Sequence, residues 1–408
     1  MQVVCVGAGP AGLYLGILLR RWAPDCEVVV YDRNPPGHAE GWGIVFWRDL
    51  LETLRRCDPE SAGAIEASAV AWPGQALMRA GRALSDLRAG GYGLDRRRLL
   101  EILAERAAGL GVRLRYGTEI GGPAELPPAD LVVASDGAGS RLREAQSHVF
   151  RPRVVTGRNR YIWLGAARTF EAFTFGVAET AEGPVWFHAY PSGRASTFIV
   201  ECAAGTWTRL GFGGMSSDEA AQALSRVFAR ELAGCPLMSG GARWQSFRTV
   251  RTDTFVGEGM ALVGDAAHTA HFSLGSGTQL AIDDAVALAT ALVREPGVPA
   301  ALRAYDAARR GPVARAQARA DRSAAWFEAL DRYAALPDEA FFDLLLHRRS
   351  RLLGVLPPTL AWRAHRASRA SALLRALRRT GARLHRRLTE PRRRGGRNRP
   401  GGGPRPSR

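Results

Sequence analysis

Apolar runs of two kinds alternate near the N-terminus of the chain. The run QVVCV predicts a buried strand, the following GAGPAG a tight turn, LYLGILLRRW an apolar helix and EVVVYDR a second strand. A strand, a glycine turn, a helix and a second strand form a βαβ unit with parallel strands. The chain is therefore expected to begin with an α/β domain.

Later segments extend the same sheet. The run GYGLDRRRLLEILAERAAGLGVRLRYGTEI predicts a helix from about Arg96 and then a strand, and PADLVVASDGAGSRLRE predicts a buried strand that ends at Asp136. MALVGD predicts another strand, which ends at Asp265 and is followed by an apolar helix. Open α/β sheets bind ligands at the carboxyl ends of their strands, so we expect Asp265 at such a site.

Residues 151–251 have a different pattern. They contain short runs with partial alternation, separated by Gly, Pro and Ser: YIWLGAAR, AFTFGVAE, PVWFHAY and STFIVECA. The pattern predicts a β-rich lobe inserted between residues 1–150 and 252–298, which together form the first domain. Residues 299–387 are rich in Ala, Leu and Arg at helical spacing and predict helices, and residues 388–408 predict a disordered tail.

The net charge of +17 is concentrated at the C-terminus. Residues 361–408 contain sixteen arginines and one acid, Glu390, so the rest of the chain is nearly neutral. No aromatic side chain is interleaved with the charge of the final stretch, PRRRGGRNRPGGGPRPSR, which argues against nucleic-acid binding as the main function.

Cysteine and hydropathy patterns argue against other classes of protein. The five cysteines form no CxxC pair, so neither a zinc site nor a disulfide framework is indicated. No stretch approaches the roughly 20 apolar residues of a membrane span, and the apolar N-terminus lacks the basic region of a signal peptide. We expect a cytoplasmic protein without membrane contact, either a monomer or a homodimer.

The first glycine turn carries a dinucleotide fingerprint. Gly7, Gly9 and Gly12 fit the pattern G-x-G-x-x-G, which permits a sharp turn, close approach of a pyrophosphate and close packing of helix on strand. Asp32 ends the second strand, where a carboxylate can accept hydrogen bonds from a ribose. The chain has no second fingerprint, because GFGGMSS lacks the third glycine. One tightly bound dinucleotide is therefore predicted.

Several motifs together resemble those of the flavoprotein aromatic hydroxylases with the p-hydroxybenzoate hydroxylase fold. These are GAGPAG, the arginine of LDRRRLLEIL, the DG of ASDGAGSRLR and the GD of LVGDAAH. GWGIVF, FEAFTF, HAY, STFIVE, TWTRLG, CPLMS and GDAAHTAHFSLGSGT are similar to the branch that contains salicylyl-CoA 5-hydroxylases and the flavin domains of anthraniloyl-CoA monooxygenases. The resemblance covers about residues 1–350. It implies an FAD-binding Rossmann-like domain, an inserted β-rich substrate domain and C-terminal helices.

The resemblance also implies which residues hold FAD. Asp32 and Arg33 would bind the ADP half, Arg96 would lie along the cofactor, and Asp265 would bind the ribityl chain. The helix that begins near Gly277 can stabilise negative charge on the reduced flavin through its backbone amides. The full expected set is Gly7, Gly9, Ala11, Gly12, Asp32, Arg33, Trp42, Gly43, Arg96, Asp136, Gly264, Asp265, Gly275, Ser276 and Gly277.

The expected substrate pocket is aromatic. Phe175 and Phe272 are candidates for substrate binding, and His188, Tyr190 and His271 are candidates for catalysis. Either histidine could accept the proton of a phenol or arylamine as the ring becomes nucleophilic. Ordinary core packing is the alternative for each aromatic residue, and a strand-end turn is the alternative for Asp136.

The resemblance implies hydroxylation of an aromatic ring through a flavin C4a-hydroperoxide, with NADH or NADPH and O2 as cosubstrates. The expected substrate is an aryl thioester of coenzyme A or of a carrier protein, hydroxylated para to a hydroxyl or amino group. Hydroxylation of a tryptophan-derived indole is an alternative. An FAD-binding partner protein without oxygenase activity is another.

A metal site and a flavin halogenase are two further hypotheses that the sequence supports less well. His268 and His271 have a spacing seen in metal ligands, but no carboxylate or cysteine cluster completes a set nearby, so no metal is expected. Flavin halogenases share the fold but use a WxWxIP motif and a lysine. This chain contains neither.

Overall fold

The computed structural model describes residues 1–39, 41–79, 82–87, 90–350 and 356–367. The chain divides into two compact units, residues 1–355 and 356–408. The second unit is helical from 358 to 367. The predicted tail and the predicted helices beyond residue 367 lie outside the described residues. No helix in the described ranges has the length and apolar character that crossing a membrane requires.

The strands of the first unit are β1 Gln2–Val6, β2 Glu27–Tyr31, β3 Gly43–Phe46, β4 Val70–Trp72, β5 Gln75–Arg79, β6 Arg82–Asp86, β7 Gly91–Asp95, β8 Arg113–Arg115, β9 Leu131–Ala134, β10 Arg153–Thr156, β11 Asn159–Ala166, β12 Phe173–Thr180, β13 Gly183–Pro191, β14 Ser196–Ala203, β15 Leu237–Met238, β16 Arg248–Arg251, β17 Val256–Gly257 and β18 Met260–Leu262.

The helices are α1 Pro10–Trp22, α2 Arg48–Cys57, α3 Pro59–Ser68, α4 Arg96–Gly109, α5 Arg141–Ala145, α6 Ser147–Phe150, α7 Ala204–Arg209, α8 Ser217–Val227, α9 Gly277–Arg294, α10 Val298–Glu328, α11 Asp331–Ala334 and α12 Asp338–Leu346. Short 3-10 turns lie at Pro123–Glu125, Phe212–Gly214, Gly264–Ala266 and Phe272–Leu274.

The first sheet has the order β17-β18-β9-β1-β2-β8 and is parallel except for β17 at its edge. Strands β9 and β18 are continuous apolar runs, and β1 is apolar after its first residue, as expected for the inner strands of a parallel sheet covered by helices. Helix α1 packs against α9, and α10 packs against α9 in turn. The predicted α/β fold is confirmed, and β1, β9 and β18 end at one edge, close to the glycine turn.

Backbone conformation explains the first glycine of that turn, and close packing explains the third. Gly7 has φ +110°, a conformation that side chains rarely adopt. A Cβ on Gly12 would lie 2.2 Å from the carbonyl oxygen of Gly7 and 2.5 Å from Oγ of Ser135. Helix α1 therefore approaches β1 and β9 at backbone distance.

The second sheet has the order β15-β11-β14-β13-β12-β5-β6. Strands β11 to β14 correspond to the alternating runs predicted in residues 151–251. The hairpin of β5 and β6 also joins this sheet, with β5 parallel to β12, although it precedes the predicted insertion. Its sequences, QALMR and RALSD, alternate too weakly to have been predicted as strands of this lobe.

A third sheet, β3-β7-β4, joins the two larger ones. Its glycines permit close contact with the end of β13, since a Cβ on Gly93 would lie 1.9 Å from the carbonyl oxygen of Pro191. The hydroxyl of Tyr190 donates to the carbonyl oxygen of Gly43 at 2.9 Å. This junction fixes the second sheet over the ligand-binding edge of the first.

A buried carboxylate holds α1, α3 and α4 together. Asp58 is fully buried, caps α3 and accepts hydrogen bonds from Ser61, Arg21 and Arg106. Burial alone would raise the pKa of Asp58, but the bonds from Arg106 and Ser61 and the charges of Arg106 and Arg21 lower it. The ionised carboxylate therefore contributes stability above the ordinary aspartate pKa, and the contribution is lost as the pH falls through the lowered value.

We predict that Asp58→Ala lowers the free energy of unfolding by about 2–4 kcal/mol, because it removes a helix cap and leaves two arginines without their carboxylate. The loss should shrink in acid, where the wild-type carboxyl is protonated. Denaturant unfolding of the FAD-loaded protein at neutral and acid pH measures both effects. The exposed Asp25→Ala is the control, with a change within about 0.5 kcal/mol. Equal stability of the two variants would contradict the assignment.

Candidate active site

One cavity lies between the carboxyl edge of the parallel sheet and the face of the second sheet. It contains about 1170 Å³ of empty space, including its open mouth. It brings together residues expected to bind FAD and residues expected to bind substrate. The predicted residues that line it are Gly9, Ala11, Gly43, Arg96, Gly264, Asp265, Gly275, Ser276, Gly277, His188, Tyr190 and Phe272.

Two helix N-termini face this cavity. Helix α1 follows Gly9 and α9 follows Ser276, and neither helix has a side-chain cap. A Cβ on Gly9 or Gly277 would meet nothing within 4 Å. The Oγ atom of Ser276 is buried and has no hydrogen-bond partner among the described residues. Uncapped amides, open backbone and an unpaired hydroxyl fit a ligand with a pyrophosphate and a ring rich in acceptors, as FAD is.

Asp265 and Arg96 place opposite charges in the same cavity. The side chain of Asp265 is accessible through the cavity, yet it is surrounded by protein, and this burial raises the pKa of its carboxyl against the charges of Arg96 and His268. Arg96 begins α4 and is half-buried. A carboxylate and a guanidinium at one wall can bind hydroxyls and phosphates, respectively.

Other predicted FAD residues lie around the cavity without lining it. The carboxylate of Asp32 accepts from the backbone nitrogens of Ala8 at 2.7 Å and Asn34 at 2.8 Å, which fixes it beside the glycine turn. Asp136 accepts from the nitrogen of Arg141, and its Oδ1 atom is buried without a described partner. Burial raises the pKa of this carboxyl. Gly7 and Gly12 shape the turn, and Arg33 follows Asp32.

Trp42 packs against the second sheet and is not among the residues that line the cavity. A Cβ on Gly165 would lie 2.6 Å from the Trp42 ring, and one on Gly240 would lie 3.1 Å from it. The indole therefore packs directly on two glycines, and its neighbour Gly43 lines the cavity. The contact of Trp42 with FAD stays a prediction.

A buried network holds the turn at Asp265. The Asp284 carboxylate accepts from the nitrogen of Gly264 at 2.8 Å, pairs with Nε2 of His268 at 2.8 Å and accepts from Nε of Arg309 at 2.7 Å. Burial alone would raise the pKa of Asp284, but His268 and Arg309 lower it. Asp284 is therefore an anion that ties α9 and α10 to the strand end.

His271 lies behind Phe272 and does not line the cavity. Its Nδ1 atom is 2.9 Å from Oγ of Ser273, and its ring stacks on Phe272 with centroids 4.3 Å apart. Burial lowers the pKa of His271 to about 4. His268 and His271 thus have separate partners, although their spacing resembles that of a ligand pair.

A series of hydrogen bonds connects Ser273 to a buried arginine, Arg348. Ser273 Oγ bonds to Ser323 Oγ at 2.7 Å, and Arg348 donates to Ser323 Oγ and to the carbonyl oxygen of Ser273. The Arg348 guanidinium also lies over the rings of Phe175 and Phe327. Phe175 is therefore in a second layer, behind the cavity wall.

His188 is a buried histidine of the cavity wall that pairs with a buried acid. It lines the cavity and its Nε2 atom is 3.3 Å from Oε2 of Glu201, which is itself 1% exposed. Glu201 also accepts from Trp186 Nε1 at 3.1 Å and from Asn159 Nδ2 at 2.8 Å. Burial lowers the pKa of His188 against the effect of Glu201. His188 is therefore neutral and can accept a proton.

The remaining cavity wall is aromatic. Tyr190 contributes a ring, its hydroxyl donates to the carbonyl oxygen of Gly43, and burial raises its pKa, which argues against a role as a base. Its predicted catalytic role stays a prediction. Three further rings were not predicted: Trp163, Phe173 and Phe247. Phe272 packs against Trp163, Phe247 and the ring of Tyr161.

Sequence reasoning missed Asp284, Arg309, Glu201 and Arg348. A signal exists for two of them, because Asp284 lies in the apolar run LAIDDAVAL and Glu201 in the apolar strand STFIVECA. An acid in a fully buried element needs partners. Those partners are distant in sequence and could not be identified from it.

The fold and this cavity are those of an FAD-binding protein. The family model described as FAD binding domain matches residues 92–321, so the chain belongs to that family. The chain is 40% identical over 346 residues to salicyloyl-CoA 5-hydroxylase of a Streptomyces species, with 82% of the chain and 66% of that protein covered. The chain thus spans just under two thirds of that relative's length.

A second relative is matched over nearly its full length. It is 3-hydroxy-4-methyl-anthranilyl-[aryl-carrier protein] 5-monooxygenase of Streptosporangium sibiricum, 36% identical over 353 residues, with 86% of the chain and 95% of that protein covered. The tetrameric form of 2-methyl-3-hydroxypyridine-5-carboxylic acid oxygenase has a similar fold, with a TM-score of 0.66 at 20% identity over 89% of the chain and 96% of that chain. The resemblance to aromatic hydroxylases and the FAD cofactor predicted from it are confirmed.

We predict that Asp284→Asn weakens FAD binding by about tenfold, or ~1.4 kcal/mol, because the Gly264 turn and Asp265 lose their anionic anchor. FAD titration of the apoprotein by flavin fluorescence measures the change. Asp283→Asn is a matched control on the same helix, since Asp283 accepts only from Gln279 in the described hydrogen bonds. FAD affinities that are equal in the two variants would contradict this role.

Proposed function

We propose that the protein is an NAD(P)H- and O2-dependent FAD monooxygenase that hydroxylates an aromatic ring carried as a thioester of coenzyme A or of a carrier protein. The observation that supports this most is the shared cavity. One side of the cavity has uncapped helix ends and Asp265, and the other side has aromatic rings and His188. The names of two relatives, a salicyloyl-CoA hydroxylase and an anthranilyl-carrier-protein monooxygenase, favour the thioester.

The expected FAD residues fall into two groups. The glycine turn, with Asp32 beside it, would hold the ADP half, and Asp265, Arg96 and Ser276 would hold the ribityl chain and ring. Bound FAD, reduced by NADH or NADPH, supplies an electrophilic oxygen atom from O2. The amides at the start of α9 stabilise negative charge on the ring, and the surrounding apolar walls exclude water.

The aromatic walls would hold the substrate ring against the flavin side. Trp163, Phe247 and Phe272 provide flat, apolar surfaces on which an aryl group can stack. His188 would accept the proton of the ring hydroxyl or amino group, which makes the para carbon more nucleophilic. His271 would act indirectly, by capping the turn that carries Phe272.

An indole substrate is the second candidate. The chain is 31% identical over 366 residues to protodeoxyviolaceinate monooxygenase of Chromobacterium violaceum, with 86% of the chain and 95% of that protein covered. Its lower identity makes it the weaker guide to the substrate. Para regiochemistry, a monomeric or homodimeric state and a cytoplasmic location stay predictions.

We predict that salicylyl-CoA or anthraniloyl-CoA stimulates NADH or NADPH oxidation by the FAD-loaded protein and gains one oxygen atom. The free acids should do so weakly, because they lack the thioester arm. A tryptophan-derived indole is tested in parallel. Nicotinamide absorbance and product mass give both readouts. Stimulation by the indole alone would replace the thioester proposal, and oxidation without any oxygenated product would favour a non-oxygenase.

We predict that His188→Gln lowers ring hydroxylation by about 100-fold, the scale of general base catalysis. FAD content and substrate-independent flavin reduction should stay within about twofold, since His188 lies on the substrate side. Stopped-flow absorbance separates flavin reduction from hydroxylation. His148→Gln is the control, because that histidine is outside the cavity. Full hydroxylation by His188→Gln would remove His188 from the chemistry.

A further inference from the structure

Glu201 is the most deeply buried acid near the substrate side of the cavity. It lies on β14, and His188 lies on the neighbouring β13, where Trp186 is the direct cross-strand partner of Glu201. Glu201, Trp186 and His188 are each only 1–2% exposed. All three side chains within hydrogen-bond distance of its carboxylate, those of Asn159, Trp186 and His188, can donate to it.

These donors favour the ionised form of the Glu201 carboxyl group. Trp186 Nε1 can only donate, so Oε2 must accept, and the amide of Asn159 supplies a second bond to Oε1. Burial alone would raise the pKa of Glu201, but the hydrogen bonds from His188 and Asn159 and the charge of His271 lower it. A carboxylate without its own proton requires that Nε2 of a neutral His188 carries one.

The other ring nitrogen of His188 is then unprotonated. Nδ1 is buried and has no hydrogen-bond partner among the described residues. The ring itself lines the cavity and is fixed by edge contacts with Phe175, Phe272 and Phe327. A lone pair on a fixed ring beside the cavity is suited to accept a proton from a bound hydroxyl or amine.

The charged and titratable groups around this pair come from several elements. They are His271 before the Phe272 turn, Tyr161 on β11, Glu328 at the end of α10 and Arg348 after α12. Arg348 is a buried cation and opposes a second positive charge on His188. Among the described residues, Glu201 is the buried anion in contact with His188, and its charge opposes the effect of Arg348.

We propose that Glu201 is a positioning residue that holds His188 as the Nε2–H tautomer and thereby makes Nδ1 the atom that accepts the substrate proton. The acceptor role of His188 rests on the proposed function, whereas the tautomer does not. In the step, the O–H or N–H bond of the substrate breaks, its electron pair stays on the substrate, and its proton forms an N–H bond at Nδ1. The resulting imidazolium is paired with the Glu201 carboxylate.

Nitrogen-15 NMR of histidine-labelled, FAD-loaded protein tests the tautomer without any turnover. The chain has eight histidines, and comparison with His188→Gln identifies the signals of His188. We expect wild-type His188 to carry its proton on Nε2. In Glu201→Gln the pH at which His188 takes up a second proton should fall by about one to two units, because an opposite charge within contact distance is removed.

Kinetics with an accepted thioester test the consequence. Glu201→Gln should lower kcat for hydroxylation by about 10- to 100-fold, with KM for the thioester and the rate of flavin reduction within about twofold. Glu182→Gln is the matched control, since Glu182 is a partly exposed acid that pairs with Arg209. The control should behave as wild type. Glu201→Gln should also change the pH profile of kcat, which a loss of packing alone would not do.

The NMR and kinetic experiments distinguish a failure of the Glu201 proposal from a failure of the proposed function. A wild-type His188 that carries its proton on Nδ1 would overturn the assignment of Glu201, as would an unchanged protonation pH and kcat in Glu201→Gln. A wild-type enzyme that hydroxylates no thioester would overturn the proposed function, and the NMR result would still decide the tautomer. If Glu201→Gln does not fold, the wild-type NMR spectrum decides.

Discussion

The buried carboxylate of Asp284 is the interaction on which the flavin side of the site depends. It joins α9, the long helix α10 and the turn after β18 by bonds to Gly264, His268 and Arg309. An ionised acid in the interior is costly unless every lone pair is used, so the three partners are coupled to one another. The position of Asp265, and of the helix end at Gly277, follows from this arrangement.

The substrate side uses the same principle at Glu201. There the carboxylate joins neighbouring strands rather than helices, and one of its donors is a histidine of the cavity wall. Each wall of the cavity therefore has one buried anion behind it, which holds a histidine and fixes the geometry in front. His268 holds the turn that carries Asp265, whereas His188 lies in the cavity wall.

Much of this fold could be predicted from the sequence because its signals are local. Apolar runs and the glycine spacing indicate the parallel sheet, and the motifs around Asp265 and His188 indicate an aromatic hydroxylase. The networks could not be predicted, because they join residues that only the tertiary structure brings together, such as Arg348 and Ser273, 75 positions apart. His271 was expected in the pocket, but its side chain caps its own 3-10 turn behind Phe272.

In the proposed function, the FAD side and the aromatic side of one cavity act on the same substrate ring. The most direct test is a reaction of the FAD-loaded protein with reduced nicotinamide, an aryl thioester and 18O-labelled O2, followed by mass spectrometry of the thioester. We expect one 18O atom on the aromatic ring of the product. An unmodified ring, or an oxygen atom that comes from water, would contradict it.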